Sequence, residues 1–188
     1  MASKSKSKVI MWFYFRLMIK SEMEKVMAVE PWSFDKRLMV LQRYCKEKDV
    51  GDMEFGKVTF WVQVHDLPIR FRTKRIAEQL CKAIGKVNVG TDEAEIEGDN
   101  FMHVRVTIDI SQPLSRGRVV SLDSGKELWV HFKYERLPSP CFWCGCLTHD
   151  DRDCDLWVES EGSLLLKSQQ FGPWLKAAPF CANLKVCG

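Results

Sequence analysis

Apolar and polar residues alternate along several stretches of the chain at the two-residue period of a β-strand. The alternation is clearest over residues 58–65 and 101–110, and in the second stretch apolar side chains occupy every second position from Val104 to Ile110. Both stretches are therefore predicted to be strands with one face buried. Shorter or less regular strands are predicted at 9–19, 32–44, 86–90, 118–122 and 128–134, the last two forming a β-hairpin.

Apolar residues at helical spacing predict two helices. The longer helix spans residues 74–84, begins after Thr73 as its capping residue and ends at Gly85. The shorter helix spans residues 22–29, where Ser21 opens a capping-box pattern. The longer helix is predicted to bury one face, formed by Ile76, Ala77, Leu80, Cys81 and Ile84.

The order of these elements predicts the α+β fold class, with a small sheet and two helices followed by a β-hairpin region and a small C-terminal module. A chain of 188 residues with 46% hydrophobic residues is long and apolar enough for one ordinary domain plus such a module. The predicted organisation is a basic tail at 1–8, the α+β domain at 9–135, the module at 136–155 and an irregular tail at 156–188.

The C-terminal module contains three cysteines and one histidine at metal-binding spacing. Two residues separate Cys141 from Cys144, four separate Cys144 from His149, and four more separate His149 from Cys154. Three thiolates and one imidazole suit a tetrahedral, borderline-soft cation, and Zn²⁺ is the usual occupant of such a closed structural site. Gly145 is predicted to supply the unusual backbone angles of the turn between the ligands.

Two alternatives to a structural zinc site are weaker. Eight cysteines in 188 residues without a secretory signal indicate a reducing, intracellular environment, nuclear or cytoplasmic, where metal binding prevails over disulfides. Pro140 and the cysteines after it match half of the nucleobase-deaminase signature, whose other half is a His-x-Glu. None of His65, His103 and His131 is followed by that glutamate, so no catalytic role is expected.

Charge is distributed unevenly along the chain. The net charge is only +3, but residues 1–90 carry 18 Lys and Arg against 10 Asp and Glu. Around the last metal ligand the balance is reversed, because Asp150, Asp151, Asp153 and Asp155 surround a single Arg152. A phosphate backbone is repelled by such an acidic face, so contact with nucleic acid is expected mainly upstream of the module.

Aromatic and basic residues near the ligands suggest a surface for single-stranded nucleic acid, RNA ahead of DNA. Phe142 and Trp143 would stack on bases, and Lys133, Arg136 and Arg152 would supply charge. A second basic patch surrounds Phe71 and comprises Arg70, Arg72, Lys74 and Arg75. The alternative for this patch is a solvated helix start with Phe71 packed into the core.

The ligand spacing resembles the CCHC zinc knuckle of retroviral nucleocapsid proteins, in which the aromatic residue after the first cysteine stacks on an unpaired base. Phe142 occupies that position here, whereas Thr148 replaces the glycine that usually precedes the histidine. Residues 10–155 also resemble plant proteins that join a domain of unknown function to such a knuckle and derive from LINE-type retrotransposons. The segments that carry this second resemblance are PWSFD (31–35), FWVQVHDLP (60–68), VRVTID (104–109), PLSRG (113–117), YERLP (134–138) and CFWCG (141–145).

The resemblance implies an α+β domain related to RNA-recognition folds, bound zinc and binding of the element's own RNA. The alternative function is a protein-interaction module in which zinc is purely structural and the acidic knuckle face meets a basic partner or a second copy of the chain. No membrane association is expected, because the apolar run at 9–19 contains Arg16 and is too short to span a bilayer.

Overall fold

The computed structural model describes residues 20–44, 46–47, 49–88, 100–122 and 125–180. Within these ranges the chain forms three α-helices, α1 (Lys20–Ala28), α2 (Lys74–Cys81) and α3 (Asp155–Glu159). The predicted basic tail at 1–8, the strand at 9–19 and the two cysteines Cys181 and Cys187 lie outside the described residues. The strands are β1 (Trp32–Phe34), β2 (Arg37–Met39), β3 (Lys57–His65), β4 (Lys86–Val87), β5 (Phe101–Asp109), β6 (Gly117–Ser121), β7 (Glu127–Glu135) and β8 (Lys176–Ala177).

Strands β3 to β8 form one six-stranded sheet, and β1 and β2 form a separate short hairpin. The order across the large sheet is β4-β5-β3-β7-β6, and β8 pairs in parallel with the end of β7. The two strands with the clearest alternation, β3 and β5, are antiparallel over nine residue pairs, from Lys57 opposite Asp109 to His65 opposite Phe101. This mixed sheet with few helices confirms the predicted fold class at that level, while kinship with RNA-recognition folds stays a prediction.

One face of the sheet forms the main core. Val58, Phe60, Val62 and Val64 of β3 are fully buried, together with their partners on β5. Three apolar residues of α2 belong to the same core, as the helical spacing predicted: Ala77, Leu80 and Cys81. Burial of one face of each strand thus explains the two-residue period of the sequence.

Helix α2 begins where the sequence predicts and ends earlier. The backbone N–H of Ile76 donates to the Thr73 hydroxyl at 3.4 Å, which confirms the predicted cap. The helix ends at Cys81, four residues before Gly85. A Cβ added to Gly85 would lie 2.3 Å from the carbonyl oxygen of Thr107, so this glycine instead allows the chain to pass directly against β5.

The opposite face of the sheet is polar and aromatic, and part of the C-terminal tail covers it. The amide of Gln63 donates to the carbonyl of Ala178 at 2.9 Å. The ring of Phe180 packs edge-on against Phe101, with 5.5 Å between centroids. His103 is buried on this face, where its Nε2 lies 2.8 Å from a carboxylate oxygen of Glu135 and its ring stacks on the ring of Trp61.

The described part of the tail differs from the irregular segment predicted at 156–188. It contains most of α3 and all of β8, and both Phe171 and Leu175 are buried in the main core. The physical reason is that single apolar side chains at irregular spacing fill gaps on a surface that already exists. Such contacts leave no periodic pattern in the sequence.

No helix among the described residues is both long enough and apolar enough to cross a bilayer.

Candidate metal centre

The four predicted ligands come together in space. One potential ligand atom from each of Cys141, Cys144, His149 and Cys154 lies within 4.8 Å of every other. Cys144 Sγ and His149 Nε2 are 3.2 Å apart. Cys141 and Cys154 are almost completely buried, at 0% and 1% exposure. A tetrahedral ion with bonds of about 2.0–2.3 Å to nitrogen and sulfur fits between atoms at these separations.

A tight turn positions the first two cysteines. The N–H of Gly145 donates to the carbonyl of Cys141 at 2.8 Å, and the N–H of Cys141 donates to the carbonyl of Cys146 at 2.9 Å. Gly145 has φ +77°, in the left-handed region that glycine adopts without steric cost. The N–H of Cys146 also points at Cys144 Sγ, at 3.5 Å, which favours a thiolate there.

Thr148 has a role that a glycine at this position could not have. Its hydroxyl lies 3.2 Å from His149 Nδ1, while His149 Nε2 faces the cysteine sulfurs. A hydrogen bond to the far ring nitrogen fixes the orientation of a metal-binding imidazole. The departure from the usual knuckle sequence therefore supports the ligand geometry.

The chemistry of the ligands fits zinc in a structural role. Burial raises the pKa of the Cys144 thiol to about 11 and also raises the pKa of Cys141, so neither is a thiolate at neutral pH without a cation. A bound divalent ion stabilises the thiolates and releases their protons. Because four protein ligands complete a tetrahedron, Zn²⁺ held here would organise the fold and supply no open position for water.

Hydrogen bonds join the knuckle to the sheet domain. The N–H of Leu114 donates to the carbonyl of Gly145 at 3.0 Å, and the N–H of Leu147 donates to the carbonyl of Ile110 at 3.2 Å. The thiol of Cys146 donates to the carbonyl of Ser111 at 3.3 Å. Cys146 thus connects the knuckle to the loop after β5. Its position in the sequence, between the ligands Cys144 and His149, did not predict this role.

Trp143 is packed inside the knuckle, which differs from its predicted role in nucleic-acid binding. Its ring stacks on Trp157 with 5.1 Å between centroids and 13° between planes. Both tryptophans belong to a second small core with Cys141, Cys154 and Leu164. The ring face of Trp143 that was predicted to stack on a base is therefore in contact with Trp157.

The other predicted contacts on the knuckle remain partly or fully exposed. Phe142 is half-buried, and its N–H donates to the Asp151 carboxylate at 2.6 Å. Arg152 is exposed in the turn Asp151–Asp153. The neighbouring Asp150 pairs with Arg37 at 2.7 Å, so part of the acidic cluster is engaged with the protein itself.

The upstream basic residues divide into separate sites. Lys133 is half-buried on β7, whereas Arg136 is exposed and donates to the carbonyl of Val29 at 3.3 Å. In the second patch, Phe71 packs against the main core, and the Arg70 guanidinium lies 4.5 Å from its ring centroid. Arg72 donates to the carbonyl of Leu67, Lys74 is half-buried and Arg75 is exposed. Phe71 thus has the core position of the alternative interpretation, which leaves the patch with its positive charge and little free aromatic surface.

Comparison with known families agrees with this geometry. Residues 108–156 match the family model described as Zinc knuckle. The match begins at the end of β5 and covers the hairpin β6–β7, so it includes the loop to which the cysteine-rich turn is bonded. No match to the chain is found among the curated proteins or among the solved structures. Segment 108–156 is thus similar to zinc knuckles, and hydrogen bonds attach its cysteine-rich turn to the loop after β5.

Proposed function

We propose that the protein is a zinc-dependent binder of single-stranded nucleic acid, with RNA as the first candidate. The observation that carries this proposal is the cluster of three cysteines and one histidine inside the segment that matches the zinc-knuckle family. Zinc here shapes and stabilises the protein, and the nucleic acid is held by aromatic stacking and by basic side chains. The proposal includes no catalytic step, because the four ligands close the coordination sphere.

The wider context of the proposal comes from the resemblance described above. An origin in the first reading frame of a LINE-type retrotransposon would give the protein the element's own RNA as ligand. Such a protein would act inside the cell, in the nucleus or the cytoplasm. The uneven charge supports the same ligand, since residues 1–90 carry eight more positive than negative charges.

One observation favours the alternative of a protein-interaction module. Four large apolar side chains are exposed in and after α3, namely Leu156, Val158, Leu165 and Leu166. Clusters of exposed apolar side chains mark contact sites between proteins, and these four residues lie near one another in the sequence. In this alternative the knuckle would present these residues and its carboxylates to a basic partner or to a second copy.

A binding titration tests the proposed function. Zinc-loaded protein is titrated into labelled single-stranded RNA and DNA of the same sequence at two salt concentrations. We expect saturable binding that weakens as salt rises, because neutralised phosphates release counterions. Cys154→Ser should lose the metal and much of the affinity, while Cys146→Ser is the matched control that keeps all four ligands.

The outcomes separate the candidate functions. Binding that is lost with Cys154→Ser and kept with Cys146→Ser supports zinc-dependent recognition. Binding that both variants retain would show that nucleic acid is held without the metal. Absence of binding at low salt, together with a self-associated species in sedimentation, would favour the interaction module.

A further inference from the structure

A cleft of about 580 Å³ opens on the polar side of the sheet, at the end of β3 and along β7. Its volume lies within the range of sites that bind small molecules. Strand β7 and the turn after β3 form one side, and the tail before β8 forms the other. The side chains that matter for recognition are those of Trp129, His131, Lys133, Arg116, Asp66 and Trp174.

The two tryptophans of the cleft are held against glycines. A Cβ added to Gly117 would lie 2.7 Å from Trp129 Cε2, and a Cβ added to Gly172 would lie 2.2 Å from Trp174 Cζ3. Each indole therefore rests on a backbone that has no side chain. Yet Trp129 is 42% exposed and Trp174 is 57% exposed. Fixed and accessible aromatic rings are what stacking on an unpaired base requires.

Positive charge accompanies the aromatic rings. Arg116 is exposed, and its guanidinium lies 5.6 Å from the centroid of Phe171, where it also donates to the carbonyl of Gln170. Across the described ranges, neither Arg116 nor Lys133 is paired with a carboxylate. The acid of the cleft, Asp66, is bonded to His131 at 2.6 Å. Arg116 and Lys133 therefore keep positive charge that a phosphate could neutralise.

We propose that this cleft is the site at which a single strand of nucleic acid is held. One base stacks on Trp129 and another on Trp174, and the adjoining phosphates contact Arg116 and Lys133. This inference rests on the proposed function and assigns the aromatic contact to Trp129 and Trp174 rather than to Phe142 of the knuckle. Single-stranded nucleic acid fits because it combines an exposed ring face with a regular negative charge.

The structure also links the cleft to the metal centre. Phe171 lies over Gly145 in the turn between the metal ligands, and its N–H donates to the carbonyl of Phe142 at 3.3 Å. Trp174 follows three residues later on the same segment. Loss of the metal would release the turn that holds Phe171 and so displace Trp174. Zinc would thus be needed for binding without touching the nucleic acid.

Affinity measurements on matched aromatic variants test the inference. The variants Trp129→Ala and Trp174→Ala, each with its full zinc content, are titrated with a labelled single-stranded oligonucleotide. Each is expected to bind about 5- to 150-fold more weakly than the unaltered protein, the range that the loss of one stacked base produces. Phe34→Ala is the control, because Phe34 is an exposed aromatic residue of β1 outside the cleft.

A second measurement does not depend on altered protein. The indole N–H signals of Trp129 and Trp174 are followed by NMR in the unaltered, zinc-loaded protein as the oligonucleotide is added. Both signals should shift along the binding curve, whereas the signal of Trp157, which is stacked inside the knuckle, should stay in place. If the Trp129 and Trp174 signals do not shift at saturation, the cleft is not the binding site.

Failure of the cleft is distinguishable from failure of the proposed function. Binding that Phe142→Ala weakens and both cleft variants preserve would overturn the cleft and leave nucleic-acid binding at the knuckle. An unaltered protein that binds no oligonucleotide would overturn both. Retention of affinity by Phe142→Ala, with losses in the two cleft variants, is the result that supports the inference.

Discussion

At the scale of single residues, three glycines lie directly against aromatic rings. Gly145 faces Phe171, Gly117 faces Trp129 and Gly172 faces Trp174, each at a distance that a Cβ atom would violate. Only Gly145 of these three also has a positive φ. Gly145 is therefore required in the knuckle turn for two reasons: its backbone angle and the close approach of the Phe171 ring.

We expect Gly145→Ala to reduce the free energy of unfolding more than Gly162→Ala does. Gly162 has φ +83° with no atom near the added Cβ, so its substitution costs only the backbone strain, about 1–2 kcal/mol. In Gly145→Ala the new methyl group would lie 2.4 Å from Phe171 Cε1, and displacing the ring should add about 1–3 kcal/mol. Chemical denaturation of both zinc-loaded variants measures the difference. Equal losses would show that Phe171 moves aside freely.

At the scale of elements, the sequence predicts those features that depend on residues close together in the chain. The alternation at 101–110 predicts β5 because every second side chain of this strand enters the core. The spacing of the cysteines and the histidine predicts the metal cluster because the four ligands lie within one short segment of the chain. The stacking of Trp143 on Trp157 had no such signal. Neither residue is part of a periodic pattern. The sequence around a tryptophan beside a zinc ligand does not show whether its side chain is buried or faces solvent.

The knuckle should bind zinc more weakly as pH falls. The raised pKa values of Cys141 and Cys144 keep both thiols protonated from pH 6 to 8 in the folded, metal-free protein, so each must lose a proton when zinc binds. The affinity for zinc should therefore fall by about 100-fold for each unit by which the pH is lowered, because each of the two thiols contributes about 10-fold. Competition with a chromophoric chelator at several pH values measures this slope. A slope near zero would mean that the two thiols are already ionised before zinc binds.

At the scale of the whole molecule, the tail closes the structure over the sheet. Leu175 is 1% exposed in the main core, and the next residues pair as β8 with the end of β7. The sequence could not predict this closure, because the partners of Leu175 are determined by a sheet assembled from residues far upstream. The tail supplies core contacts and one wall of the proposed cleft.

Leu175→Ala should destabilise the protein strongly, while Leu166→Ala should not. Removing a buried leucine side chain costs about 2–5 kcal/mol through lost burial and the cavity that remains. Leu166 belongs to the same tail but is 75% exposed, so it controls for the substitution itself. Thermal unfolding of the two variants compares them directly. Similar midpoints would contradict the placement of the tail in the core.

The bonds between the knuckle and the loop after β5 determine how the molecule moves in solution. A knuckle on a free linker tumbles faster than its neighbouring domain, but this knuckle is tied to the sheet through Leu114, Leu147 and Cys146. Both parts should therefore share one rotational correlation time. A ligand that touches both must span a fixed distance, so the bending stiffness of the ligand would contribute to selectivity.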